Sequence, residues 1–117
     1  MTRLDEIKAR AEAGTSGLWV NPHGAMEKYG YEFINSPSGI VASKIDNHAN
    51  AEFIAHARTD VPRLVAALES VLELHKEVQW AESWPTCLHC NDGEGSPLAY
   101  PCLTVATIRT ALGEGEQ

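Results

Sequence analysis

Long hydrophobic runs are missing from this 117-residue sequence. No stretch approaches the roughly 20 apolar residues that a membrane helix needs, and no apolar secretory h-region follows the first Met. Positive charge is scarce. Nine Lys and Arg stand against sixteen Asp and Glu, a net charge of −7, which argues against sequence-independent binding to DNA or RNA, an interaction carried by phosphate-neutralising cations. There is no glycine-rich phosphate loop, Gly-x-Ser-x-Gly elbow, His-Glu-x-x-His or paired-carboxylate motif. The chain therefore offers no nucleophile–base pair and is not expected to be an enzyme. Cysteine is sparse: three residues, an odd number, two of them close together. That fits metal ligation in a reducing compartment better than a disulfide framework. Neither nucleic acid nor membrane is an expected partner, and an intracellular location follows.

What is present is enough for a core, with 44% hydrophobic residues. Thr2 to Ala13 reads as a helix, with Thr2 as cap, a narrow stripe of Leu4, Ile7 and Ala11, and Gly14-Thr15-Ser16-Gly17 as its stop. Aromatic and β-branched residues between Pro, Gly, Asn and Ser clusters predict strands near 18–21, 30–35 and 39–44, the last two a hairpin. Asn50 to His75 reads as two helical pieces. The second starts at Thr59-Asp60, with Pro62 in its first turn. Its apolar face, Val61, Leu64, Val65, Leu68, Val71 and Leu72, runs to His75 and on towards Trp80. Val41, Phe53, Ile54, Leu64, Leu68 and Val71 are the expected core. Thr104 to Leu112 predicts a closing helix ended by Gly113.

The expected fold is therefore α+β: a small antiparallel β-sheet packed against amphipathic helices, with a Cys-containing C-terminal loop and short helix. A core domain over 1–82 would carry residues 83–117 as an appendage of the same domain. Three short strands and thin helical stripes bury limited area, so a homo-oligomer is expected.

Two groups of residues carry potential chemistry. Cys87 and Cys90 have the two-residue spacing that lets two thiolates grip one tetrahedral ion, Zn2+ above all, and Cys102 follows. The fourth ligand is open between His75, folding back from the end of the long helix, and Asp92. His89, between the paired cysteines, is poorly placed for the same ion. The bland alternative is three reduced thiols without metal. The second group surrounds the expected helix junction: Asn50, His56, Arg58, Thr59, Asp60 and Arg63. Free backbone N–H groups at such a break and the planar fork of Arg58 suit an anion, with Trp19 or Phe53 as a stacking surface. A purely structural alternative has Asp60 capping the helix and Arg58 paired with it or with Glu52.

The blocks TRLDEIKARAEAGTSGLW and NAEFIAHARTDVPRLVAALESVLELH, with the later Cys87-x-x-Cys90 and Tyr100-Pro101-Cys102-x-Thr104, resemble a family of small proteins encoded by bacteriophages of actinobacteria. The matching positions are Trp19 and Asn50, Ala51, Glu52, Phe53, Ile54, Ala55, Ala57, Arg58, Thr59, Asp60, Val61 and Pro62. The Pro that often precedes this Trp in the family is absent, since Leu18 stands there. The resemblance implies a phage origin and no general activity. With the residues above, it leads to the expectation of a phage accessory protein in the cytoplasm of the infected host. Such a protein would counter host defence, without catalysis, by sequestering a small nucleotide-type signal molecule. The alternative is an interaction module, with zinc as an optional stabiliser, that inhibits a host protein through its acidic surface and Trp80 and Trp84.

Overall fold

The computed structural model describes residues 2–79 and 84–114. It is α+β, with four helices and two small antiparallel sheets. The chain divides into two compact units, one of Ile7–Leu64 and one of Met1–Glu6 with Val65–Gln117. The boundary expected between residues 82 and 83 falls on residues outside the described ones, as does Trp80. Among the described residues no helix is long and apolar enough to cross a membrane.

Helix α1 (Arg3–Ala13) starts on a reciprocal cap. The Asp5 N–H donates to Thr2 Oγ1 at 3.1 Å and the Thr2 N–H to Asp5 Oδ2 at 3.1 Å, which satisfies two otherwise orphaned donors. A short helix α2 (Ala25–Tyr29) lies between Gly24 and Gly30, both left-handed. Strands β1 (Glu32–Ser36) and β2 (Gly39–Ile45) form the expected hairpin. The strand expected at 18–21 shrinks to a single bridge between Val20 and Asn35. Along β1, Glu32, Ile34 and Ser36 are buried while Phe33 and Asn35 are not, the alternation a one-sided sheet demands. Ile34 packs with Ala51 and Ala55, and Trp19, Val41, Ala42, Ile45 and Ile54 complete this cluster. Gly17 has a φ of 91°, and a Cβ there would come within 2.8 Å of Pro37 Cδ. Both the backbone shape and the close approach call for glycine.

The central helix corrects the sequence reading. It is one element, α3 (His48–Leu74), with Pro62 inside it. Its cap is Asn47, whose Oδ1 accepts from the N–H groups of Ala49 at 2.7 Å and Asn50 at 3.3 Å. Thr59 and Asp60 are mid-helix residues. Pro62 costs one i→i−4 bond and crowds the preceding turn, about 3 kcal/mol. Apolar burial on both sides of it, at Ala51, Ala55 and Val65, sustains the helix across that cost. The expected core face is corrected as well. Phe53 is 77% exposed, Leu64 64% and Val71 37%, whereas Val65 is buried and Ile54, Leu68 and Leu72 are half-buried. The helix has two apolar stripes, and the one bearing Ala51, Ala55 and Val65 is covered.

Helix α3 ends at Leu74 and does not continue towards Trp80. Beyond it lies a three-stranded antiparallel sheet in the order β3 (Glu77–Val78), β4 (Thr86–Asn91), β5 (Pro97–Ala99). The cysteine-bearing stretch expected as a loop is largely this sheet. Helix α4 (Leu103–Ala111) closes the unit, and its last turn ties back to α1: the Arg3 N–H donates to Glu114 Oε1 at 2.9 Å and Arg3 Nη2 to the Gly113 carbonyl at 3.2 Å.

Candidate metal centre

Four side chains converge in the unit that contains the C-terminal residues. His75 follows the last turn of α3, its N–H still bonded to the Val71 carbonyl at 3.1 Å. Cys87 and Cys90 lie on β4, where an ordinary strand would send residues three apart to opposite faces. A bulge prevents that. From Thr86↔Ala99 to Asn91↔Pro97, β4 advances five residues while β5 advances two, and the extra chain turns both thiols to one side. Cys102 is the N-cap of α4.

The donor atoms of His75, Cys87, Cys90 and Cys102 all lie within 4.8 Å of one another. His75 Nδ1 is 3.5 Å from Cys87 Sγ, 3.3 Å from Cys90 Sγ and 3.6 Å from Cys102 Sγ. A tetrahedral zinc with Zn–S of about 2.3 Å and Zn–N of about 2.0–2.1 Å holds N and S about 3.5 Å apart. The geometry therefore can hold zinc, through the ligands expected from the sequence. His75 completes the set. Asp92 is engaged elsewhere, its Oδ1 accepting from the N–H groups of Glu94 at 2.8 Å and Ser96 at 3.2 Å in the β4–β5 turn. Those same backbone groups hold its carboxyl below the usual range. His89 places its ring edge-on to His75, centroids 5.2 Å apart.

Burial favours the same chemistry. His75, Cys87 and Cys102 are buried, and Cys90 half-buried. Cys87 and Cys102 form a small core with Val105, joined by Leu72, Cys90 and Tyr100. All three cysteines are free thiols. At Cys90, burial first and then the neighbouring Cys87 and Cys102 push the thiol up to about 11. At Cys102 burial works in the same direction, but the Val105 backbone N–H, the Cys87 and Cys90 thiols and the Thr104 N–H outweigh it, and the net direction is down. A thiol at a helix N-terminus, its ionisation eased and two more thiols crowded against it, is a place for a cation. Four protein ligands fill a tetrahedral shell, the pattern of a zinc that holds a fold together rather than one that activates water.

The pH dependence follows from the sign of the Cys90 shift. Without metal, Cys90 keeps its proton at neutral pH, so an incoming ion must displace it. Apparent zinc affinity should fall at least about tenfold per pH unit on acidification, checked by chelator competition at pH 8 and pH 6. In the metal-free protein a raised thiol pKa contributes stability that is present below the ordinary value of 9.0 and lost as pH rises towards about 11. The loaded protein, already deprotonated, should show no such loss.

The second group of residues is only partly brought together. With α3 continuous, no helix junction exists and no free backbone N–H groups stand beside Arg58. Trp19 and Arg58 do meet, the guanidinium 5.9 Å above the indole, and Arg58 Nη1 donates to the Ala11 carbonyl at 2.9 Å. Neither Asp60 nor Glu52 is the partner found for it. These two side chains line a cleft of about 280 Å³ with Ile7, Arg10, Ala11, Gly14, Ala57, Val61 and Pro62. His56 pairs instead with Glu52 at 3.4 Å. Asn50, Phe53, Asp60 and Arg63 are exposed along α3 and do not line the cleft. Arg10 is the cleft cation that the sequence did not single out. It shares no motif with Arg58 and arrives from α1.

Comparison with protein-family models, with curated proteins and with solved structures finds no match.

Proposed function

We propose that this chain is a non-catalytic binding protein that sequesters a small planar anion of nucleotide type, as an accessory protein of a phage acting against host defence. The Trp19–Arg58–Arg10 cleft carries this reading. Its lining is apolar apart from two guanidinium groups, so a base can lie against the indole and apolar walls while the phosphates meet Arg10 and Arg58. Its volume is near the lower end of ligand pockets, about 300–1,000 Å³. The candidate zinc centre belongs to the other unit, and its four protein donors suit a structural role.

Arg10 separates binding from stability. It is exposed, so Arg10→Gln should weaken binding by about 1.5–3 kcal/mol, the worth of a hydrogen bond to a charged group, and leave the ligand-free melting temperature unchanged. Arg58→Gln should lower both, since Arg58 also ties α3 to Ala11. The measurement is a melting screen against cyclic nucleotides and ADP-ribose-type molecules, followed by titration calorimetry. Failure of every such ligand to raise the melting temperature would reject the reading.

The second reading is a module that binds a host protein. Trp84 is 75% exposed and Leu103 83% exposed, and large apolar side chains of this kind anchor interfaces. A stoichiometric host partner lost on Trp84→Ala, with no nucleotide bound, would favour it.

A further inference from the structure

The four donors of the metal centre are not equally sheltered. Cys87 is 2% exposed, Cys102 4% and His75 8%, while Cys90 is only half-buried. A cavity of about 160 Å³ opens beside β4 and β5, and both Cys87 and Cys90 line it. Cys102 and His75 do not. Small polar solutes thus reach one edge of the centre, the edge made by two thiols with two residues between them. The remaining thiol sits behind it at the N-cap of α4.

We propose that Cys90 is a modification site at which hydrogen peroxide, or another small hydroperoxide, opens the zinc centre. The proposal rests on the metal reading above. The zinc-bound Cys90 thiolate attacks one peroxide oxygen; the O–O bond breaks, hydroxide leaves and Cys90 becomes a sulfenic acid. The Cys87 thiolate then attacks the Cys90 sulfur, the S–O bond breaks, a second hydroxide leaves and a Cys87–Cys90 disulfide forms. Two electrons pass from two sulfurs to one peroxide, which ends as two waters after protonation. Loss of those two thiolates would leave only Cys102 and His75 to hold an ion, too few to retain it. Cys87 is the resolving thiol because it shares the bulge and the cavity with Cys90. Cys102 has no access to that cavity.

The test uses the full chain loaded with zinc and no substitution. Zinc content is measured first: a protein that neither holds nor takes up zinc defeats the metal reading itself, and this proposal with it, before any oxidant is added. The loaded protein is then titrated with hydrogen peroxide while a chromogenic chelator reports released zinc. Thiols are alkylated under denaturing conditions and mapped by mass spectrometry. The expected result is one zinc released per peroxide consumed, a Cys87–Cys90 linkage, Cys102 still open to alkylation, and recovery of the centre with thiol reductant and zinc. Zinc retained at a peroxide excess that fully oxidises free glutathione would overturn the proposal while leaving the metal centre intact. So would release accompanied by a disulfide to Cys102, or by no disulfide at all.

Discussion

Stripping zinc from the folded protein should lower its melting temperature by on the order of 15–30 °C. Beyond the buried Leu4 and Val65, the unit around the centre has few apolar side chains to hold it. Its sheet has strands of two, six and three residues, and its buried hydrophobic cluster is Cys87, Cys102 and Val105 with three half-buried neighbours. Two of those three core side chains are candidate ligands themselves. An ion present at a thousand times its dissociation constant contributes about 4.1 kcal/mol. In a domain of this size each kcal/mol moves the midpoint by about 4–8 °C. The loss should be local: hydrogen exchange on chelated protein should show protection gone from Thr86 to Val105 and kept in the hairpin of β1 and β2, which lies in the other unit. Cys87→Ser and Cys102→Ser should each reproduce the chelated state at ordinary zinc concentrations. Uniform protection before and after chelation would mean that the sheet stands without metal.

The other large effect belongs to Ile34, fully buried beneath α3. Ile34→Ala should cost about 2–5 kcal/mol in denaturant unfolding, from lost transfer energy and the cavity left behind. Phe53→Ala and Leu64→Ala should each cost within about 0.5 kcal/mol, the ordinary range for exposed positions. This contrast also tests self-association. A cost at Leu64 comparable with that at Ile34, shrinking as the protein is diluted, would mean that a second copy covers the exposed stripe.

Much of the architecture was readable from residues alone, and the reasons for the rest are physical. The hairpin announced itself through β-branched residues on either side of Pro37-Ser38, and the candidate metal ligands through the two-residue spacing of Cys87 and Cys90. His75 was legible because it follows a long periodic segment that can return a donor to the cluster. The sheet of β3, β4 and β5 was not legible. Its strands are short and carry Glu77, Thr86, His89 and Asn91 rather than alternating apolar residues, and its bulge serves thiols rather than a hydrophobic face. The covered side of α3 could not be told from its pattern. Leu64 and Val71 mark an apolar stripe as clearly as Val65 and Leu72 do, and only the packing of Ile34 against small Ala51 and Ala55 decides between them. Pro62 misled for a related reason. A proline with a Thr-Asp pair before it has the chemistry of a helix start, yet the cap that acts is Asn47, fifteen residues earlier, because burial on both sides carries the helix through.

The metal centre is tested most directly by native mass spectrometry of the purified chain, with metal identity read by elemental analysis. One zinc per chain is expected, lost on mild acidification and lost in Cys102→Ser and His75→Ala. A folded chain with the mass of the bare polypeptide, taking up no zinc from a buffered micromolar supply, would contradict the assignment of His75, Cys87, Cys90 and Cys102 as a metal site.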